Sequence, residues 1–284
     1  MILGFCQWML LTVQAQISLE LEWKERRYLP KEDFEVKVRL VNFSGQNLEI
    51  GNIHNWLKFE IETKDGHFIK PLKNLPTQGS SVVLSNSKEA MIPINLTEHF
   101  DIVRQGKYLI QAAASFTNQN LYAASKMKKF TIAAGVSLWS QVAGVPMGQG
   151  LPPAMVKYDL ITARDTARNN LYIQISHVES KRILRAFPIH QIISFADPQA
   201  VVDQQGRLNV LCQVGAREFR YNQINLTGDI VKRQTHVFSD SRPRLRLSEK
   251  GEVVVLGGSR KLSPDDVPSS VKKARIETEN ILAK

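Results

Sequence analysis

Residues 34–40 read Phe34-Glu35-Val36-Lys37-Val38-Arg39-Leu40, with an apolar side chain at every even position and a charged one at every odd position. Successive side chains of a strand point to opposite faces, so this run has one face for a core and one for water. The same alternation recurs on either side. Leu19, Leu21 and Trp23 alternate with Glu20, Glu22 and Lys24, while Leu57, Phe59 and Ile61 alternate with Lys58, Glu60 and Glu62. Turn chemistry separates these runs at Ser44-Gly45, Asp65-Gly66, Gly79-Ser80 and Asn86-Ser87. Short alternating runs with no helix-period segment between them predict an antiparallel β-sandwich over residues 16–135.

One stretch of this module carries a family resemblance. The segment from Phe100 to Ile110 includes Gly106-Lys107-Tyr108. It resembles the approach to the penultimate strand of immunoglobulin-like domains, where a Tyr two positions after a Gly closes the corner through its hydroxyl. Tyr108 takes that position, Ile110 stands where antibody domains carry a Cys, and the resemblance implies for Trp56 the role of the buried tryptophan. What it implies is a fold and no activity, since sandwiches of this kind serve many unrelated functions.

Beyond residue 135 the composition changes. Residues 136–153 hold no charge and are rich in Gly and Pro, and are read as a linker anchored by Leu138 and Trp139. A repeat follows, with Pro153, Pro198 and Pro243 at intervals of 45 residues. Pro198 precedes Gly206 and Val210-Leu211 at the same offsets at which Pro243 precedes Gly251 and Val255-Leu256. Such a period with strand patterns inside it resembles β-propeller blades. Residues 154–262 are therefore read as a β-rich, propeller-blade-like antiparallel repeat module, too short to close by itself. Residues 263–284 read as a tail with a short helix. The fold class is all-β.

Residues 1–15 form an uncharged apolar run ending Val13-Gln14-Ala15. Small residues at these two positions suit a signal peptidase, and the run is short of the roughly 20 apolar residues a membrane span needs. The expectation is a signal peptide cleaved after Ala15, a mature chain without a transmembrane span, and a secreted or periplasmic location. Cleavage would leave Cys212 as the one thiol of a chain with two cysteines, excluding an internal disulfide and multi-cysteine metal sites.

The chain of 284 residues carries a formal net charge of +10, with the larger share of the basic excess in its second half. That balance favours acidic partners. Its best-shaped expression is Arg242-Pro243-Arg244-Leu245-Arg246-Leu247. On a strand, Arg242, Arg244 and Arg246 project from one face at about 6.5–7 Å intervals, while Leu245 and Leu247 enter the core. Guanidiniums so spaced engage carboxylate or other anionic groups. The competing role is an edge strand made repulsive to sheet-to-sheet pairing.

No pair of the six histidines has metal-ligand spacing, so no metal or other cofactor is expected, and the histidines are assigned to surface and turn positions. Cys212 shares parity with Leu208, Val210 and Val214, which places its thiol on the apolar face as an inert packing group. Asp197, Asp203 and Asp240 fall near strand ends, where acids for glycoside cleavage would sit and where turns also favour Asp. Three Asn-x-Ser/Thr sequences begin at Asn42, Asn95 and Asn225.

Tyr108, Gly106 and the Pro–Gly–Val-Leu repeat together resemble uncharacterised exported bacterial proteins in which an immunoglobulin-like domain precedes propeller-like repeats. The reading that follows is a non-catalytic exported binding or structural module engaging a macromolecule. The alternative is a secreted hydrolase acting on saccharide or peptide, with acids on the repeat module. Partners of the first reading are an acidic polysaccharide or another envelope protein rather than nucleic acid, and oligomerisation is one way to complete the repeat module.

Overall fold

A computed structural model describes residues 16–51, 55–75, 82–116, 120–145, 154–165, 168–193 and 197–268. The signal-peptide assignment and the helix of the tail lie outside these residues. The strands of the first half are β1 (Ile17–Glu22), β2 (Arg27–Tyr28), β3 (Glu35–Asn42), β4 (Leu48–Ile50), β5 (Leu57–Thr63), β6 (Val82–Leu84), β7 (Glu89–Asn95), β8 (Gly106–Phe116), β9 (Leu121–Ala124) and β10 (Lys128–Ile132). Those of the second are β11 (Val136–Val145), β12 (Ala154–Asp165), β13 (Arg168–His177), β14 (Ile183–Ile192), β15 (Gln199–Val202), β16 (Leu208–Gln213), β17 (Glu218–Ile224), β18 (Ile230–Val237), β19 (Arg244–Leu247), β20 (Val253–Leu256) and β21 (Ser259–Lys261). Among the described residues there is no α-helix, and none of the antiparallel sheets closes into a barrel.

The chain forms two units, one of residues Met1–Glu25, Asp33–Ile102 and Gly106–Thr131, the other of Arg26–Glu32, Val103–Gln105 and Ile132–Lys284. In the first, β1, β3 and β7 form one antiparallel sheet with Leu19 opposite Leu40 and Val38 opposite Ile92. Ile17, Leu19, Leu21, Val36, Val38 and Leu40 are buried, as the alternation requires. In a second sheet β5 pairs with β8, where Phe59 lies opposite Ala112 and Leu57 opposite Ala114. Large residues here face small ones across the pair.

Aromatic rings join the two sheets. Trp23 meets Phe34 edge-on at 5.8 Å, Phe34 meets Phe130 at 4.7 Å, and Phe130 stacks on Tyr108 at 5.1 Å. Each such pair contributes about 0.5–1.5 kcal/mol beyond the area it buries. Trp56, immediately before β5, is also buried and packs on Phe116 at 5.8 Å.

The second unit contains two successive antiparallel meanders in chain order, β11-β12-β13-β14 and β15-β16-β17-β18, the latter extended by β21. Residues 136–153, expected as a linker, thus open with a ten-residue strand whose Ala143 and Trp139 pack on the core between the meanders. The uncharged composition suited a strand as well as a loop. Tyr158, Leu160, Leu171, Ile173 and Ile175 fill that core from one side, and Leu208, Val210, Cys212 and Ile224 from the other. The second and third repeat copies both form hairpins, β15–β16 and β19–β20, with Gly206 and Gly251 at positive φ before the second strand of each.

Two further boundaries differ from the expected ones. Residues 26–32, placed by sequence in the first module, belong to the second unit, where Leu29 packs on Ile161, Tyr172 and Ala186. Arg26 Nη2 there donates to buried Glu32 at 2.6 Å. Residues 263–268, expected to begin a tail, are packed: Ser263 and Asp266 are buried, and Val267 exchanges backbone hydrogen bonds with Arg233.

Because Phe34 is the centre of the ring series and almost wholly buried, Phe34→Ala should destabilise the protein by about 3–5 kcal/mol. Denaturant unfolding measures this; a loss below about 1 kcal/mol would show that the rings do not join the sheets energetically.

Candidate functional site

The hairpin β19–β20 lies on the face of β16–β17 that points away from the core between the meanders. Leu245 and Val255 pack there on Leu211, Phe219 and Tyr221. The backbone N–H of Leu245 donates to Gln199 Oε1 at 2.8 Å, tying the hairpin to β15. Arg244 and Arg246 project from the opposite, exposed face of β19, as their parity predicts. Arg242 precedes the strand; it too is exposed, but its guanidinium lies over the Phe219 ring at 5.2 Å and donates to Gln213 Oε1 at 3.0 Å. Leu247 does not enter the core. It ends the strand, is not among the residues packed on that cluster, and is 50% exposed.

A pocket of about 310 Å³ opens beside this ridge, lined by Gln199, Ser241, Arg242, Pro243, Arg244 and Gly257. Gly257 has φ +74°, and a Cβ there would lie 2.7 Å from Ser241 Oγ and 2.8 Å from the Arg242 carbonyl. Only Gly permits this approach, so the pocket wall and the Arg242 backbone are held together. Across the hairpin Leu256 lies opposite Arg244 and Val254 opposite Arg246, both partly exposed. The arrangement offers one fixed and two exposed cationic groups beside apolar side chains, suited to an anionic ligand.

The other candidates are committed elsewhere. Cys212 is buried, and burial pushes its thiol up to about 12, which removes thiolate at neutral pH. Asp203 caps the turn between β15 and β16, accepting from the backbone N–H groups of Gln205 and Arg207 and pairing with Arg207 Nε at 2.8 Å. Asp197 and Asp240 are exposed. The three Asn-x-Ser/Thr sequences share a local cause: Asn42, Asn95 and Asn225 each accept through Oδ1 from the backbone N–H two residues on. These are Asx turns, and Asn42 is fully buried.

The histidine assignment needs correction. His99 and His236 are buried, and His190 is partly buried on β14. His190 Nε2 lies 3.2 Å from Asn222 Oδ1, which also accepts from Arg233 Nε at 3.1 Å. Arg233 can only donate, so the amide orientation is fixed and His190 donates from Nε2 as a neutral ring. Burial, reinforced by the Arg233 charge, lowers His190 to about 4. Sequence reasoning passed over this cluster, although Arg220 and Asn222 share parity with Ile224, the core-facing side of β17.

No protein-family model matches the chain, and no curated protein matches it. Among solved structures, Spo0M, a sporulation control protein from Bacillus subtilis, aligns at 10% identity over 61% of this chain and 90% of that chain. Its TM-score is 0.30, a likeness that carries no argument about fold or function.

A His whose folded pKa lies below its ordinary value binds protons more readily when unfolded, so stability rises with pH between the two values. For His190 the window runs from about 4 to 6.5. Acidification across it should cost up to about 3 kcal/mol, and His236, also lowered by burial, acts in the same direction. Unfolding measured against pH should show a shallower dependence in His190→Gln than in the wild type; parallel curves would remove His190 from the account.

Proposed function

We propose that this chain is a non-catalytic exported binding module that engages an acidic polysaccharide through Arg242, Arg244 and Arg246. The observation that carries the reading is the exposed ridge beside an open pocket, with Arg242 held by Gln213. Arg244 and Arg246 alternate along β19 at a spacing suited to successive carboxylates, and prior fixation of Arg242, just before the strand, lowers the ordering cost of binding. Cys212, Tyr158 and Tyr221, all raised to about 12 by burial, and His190 serve the interior of the sheets rather than the pocket. The apolar run 1–15 supports export.

The finer architecture belongs to the same proposal. Buried Tyr108 and Trp56 support the immunoglobulin-like reading of the first module, and two successive four-stranded meanders support the propeller-like reading of the second.

Binding to a uronate-rich polysaccharide should weaken as salt is raised, because screening acts on exposed charges. Arg244→Ala should weaken it further while leaving the unfolding midpoint nearly unchanged, since the residue is exposed. Retention that ignores salt, or is identical in wild type and Arg244→Ala, would return the ridge to edge protection. Shortening of the polymer during incubation would favour the hydrolase.

A further inference from the structure

The face of β17 and β18 that looks toward β14 holds a second, enclosed cluster of cations. Arg220 and Asn222 alternate along β17, and Thr235 and Arg233 lie opposite them on β18. Asn222 is 0% exposed and Thr235 1%. Asn222 Nδ2 and Thr235 Oγ1 are both buried without a hydrogen-bond partner among the described residues. An unsatisfied buried polar group costs about 1–3 kcal/mol, so two on one face, from diagonal neighbours of adjacent strands, indicate something between them.

The charges indicate what it is. Arg220 is shared between Glu218 at 3.4 Å and Asp265 at 3.5 Å, and Glu218 also holds Lys261 at 3.3 Å. Asp266 pairs through Oδ2 with Arg260 at 2.7 Å, while its Oδ1 has no partner among the described residues. Arg233, partly buried, is in no ion pair among the described residues, and its one side-chain hydrogen bond goes to the neutral Asn222 amide. Burial lowers its pKa; Asp265 opposes this and Arg220 adds to it. His190 adds no negative charge, being neutral. A water molecule would satisfy the orphaned donors but leave the Arg233 charge offset only at a distance by Asp265, with which it makes no ion pair among the described residues; an anion supplies both partners at once.

We infer that a single small inorganic anion of halide size binds between Arg233, Asn222 Nδ2 and Thr235 Oγ1. The enclosed position of Asn222 and Thr235 disfavours a polyatomic anion such as phosphate. The site lies on the opposite face of the β15–β18 sheet from the Arg244 ridge and does not depend on the polysaccharide reading.

The full chain is unfolded thermally while sodium chloride replaces sodium gluconate at constant ionic strength. The wild-type midpoint should rise and saturate with chloride, and bromide should reproduce the effect. Arg233→Gln should raise the half-saturating concentration at least about tenfold, the value of one charge-assisted hydrogen bond. Thr235→Val, nearly the same shape, should weaken it less and carries the test if Arg233→Gln does not fold. Crystals grown in bromide should show anomalous scattering within hydrogen-bond reach of Asn222 Nδ2. A wild-type midpoint indifferent to chloride, saturation unchanged in the variants, or a water without anomalous signal at that position would overturn the inference.

Discussion

Leu208, Val210 and Cys212 press one side of β16 into the core shared with β12 and β13, while Leu211 on the other side packs with Phe219 and Tyr221 beneath the β19–β20 hairpin. The strand therefore has no wet face, and five of its six residues are buried. Full burial of each large apolar side chain contributes about 1.5–3 kcal/mol, so β16 concentrates more of the second unit's stability than any edge strand does. Polar contacts set its register. Tyr158 on β12 donates to the Gly206 carbonyl at 3.0 Å, and Tyr221 donates to buried Asn209 at 2.7 Å.

Both charged features of the second unit hang on this arrangement. The Arg244 ridge is held on one side of the sheet by Leu245 and Val255 against the Leu211 cluster, and by Gln199 and Gln213 from the strands themselves. The Arg220–Arg233 cluster occupies the other side, where Arg220 and Asn222 keep the parity of Ile224 and lie opposite the core residues Cys212 and Val210. Salt therefore screens the exposed Arg244 ridge more than the partly buried Arg220 and Arg233.

Alternation made β1, β3 and β5 legible because each has one buried and one wet face. It said less of β16, where Asn209 and Leu211 are as buried as Val210; burial of both faces erases the contrast that period two depends on. Strand β11 was hidden for a related reason, its uncharged Gly- and Ser-containing run giving no contrast either. The assignment of residues 26–32 to the second unit depends on Leu29 meeting Ile161 and Tyr172, a contact between distant parts of the chain that no local pattern encodes. Parity agrees with the exposure of Arg244 and Arg246 but misplaced Leu247, which is exposed, and Arg242, which precedes the strand and lays its guanidinium on Phe219; parity gives a side only within a strand. The buried histidines were missed because spacing tests for metal ligands say nothing of a lone His enclosed by neighbours.

The dependence of the second unit on β16 is tested most directly by native-state hydrogen exchange. If β16 is the strand on which both faces rest, the amides of Val210, Leu211 and Cys212 exchange only through unfolding of the whole unit. Those of Leu245 and Val255 should exchange earlier, through local opening of the hairpin. Exchange at Val210–Cys212 as fast as in β19–β20 would contradict the account.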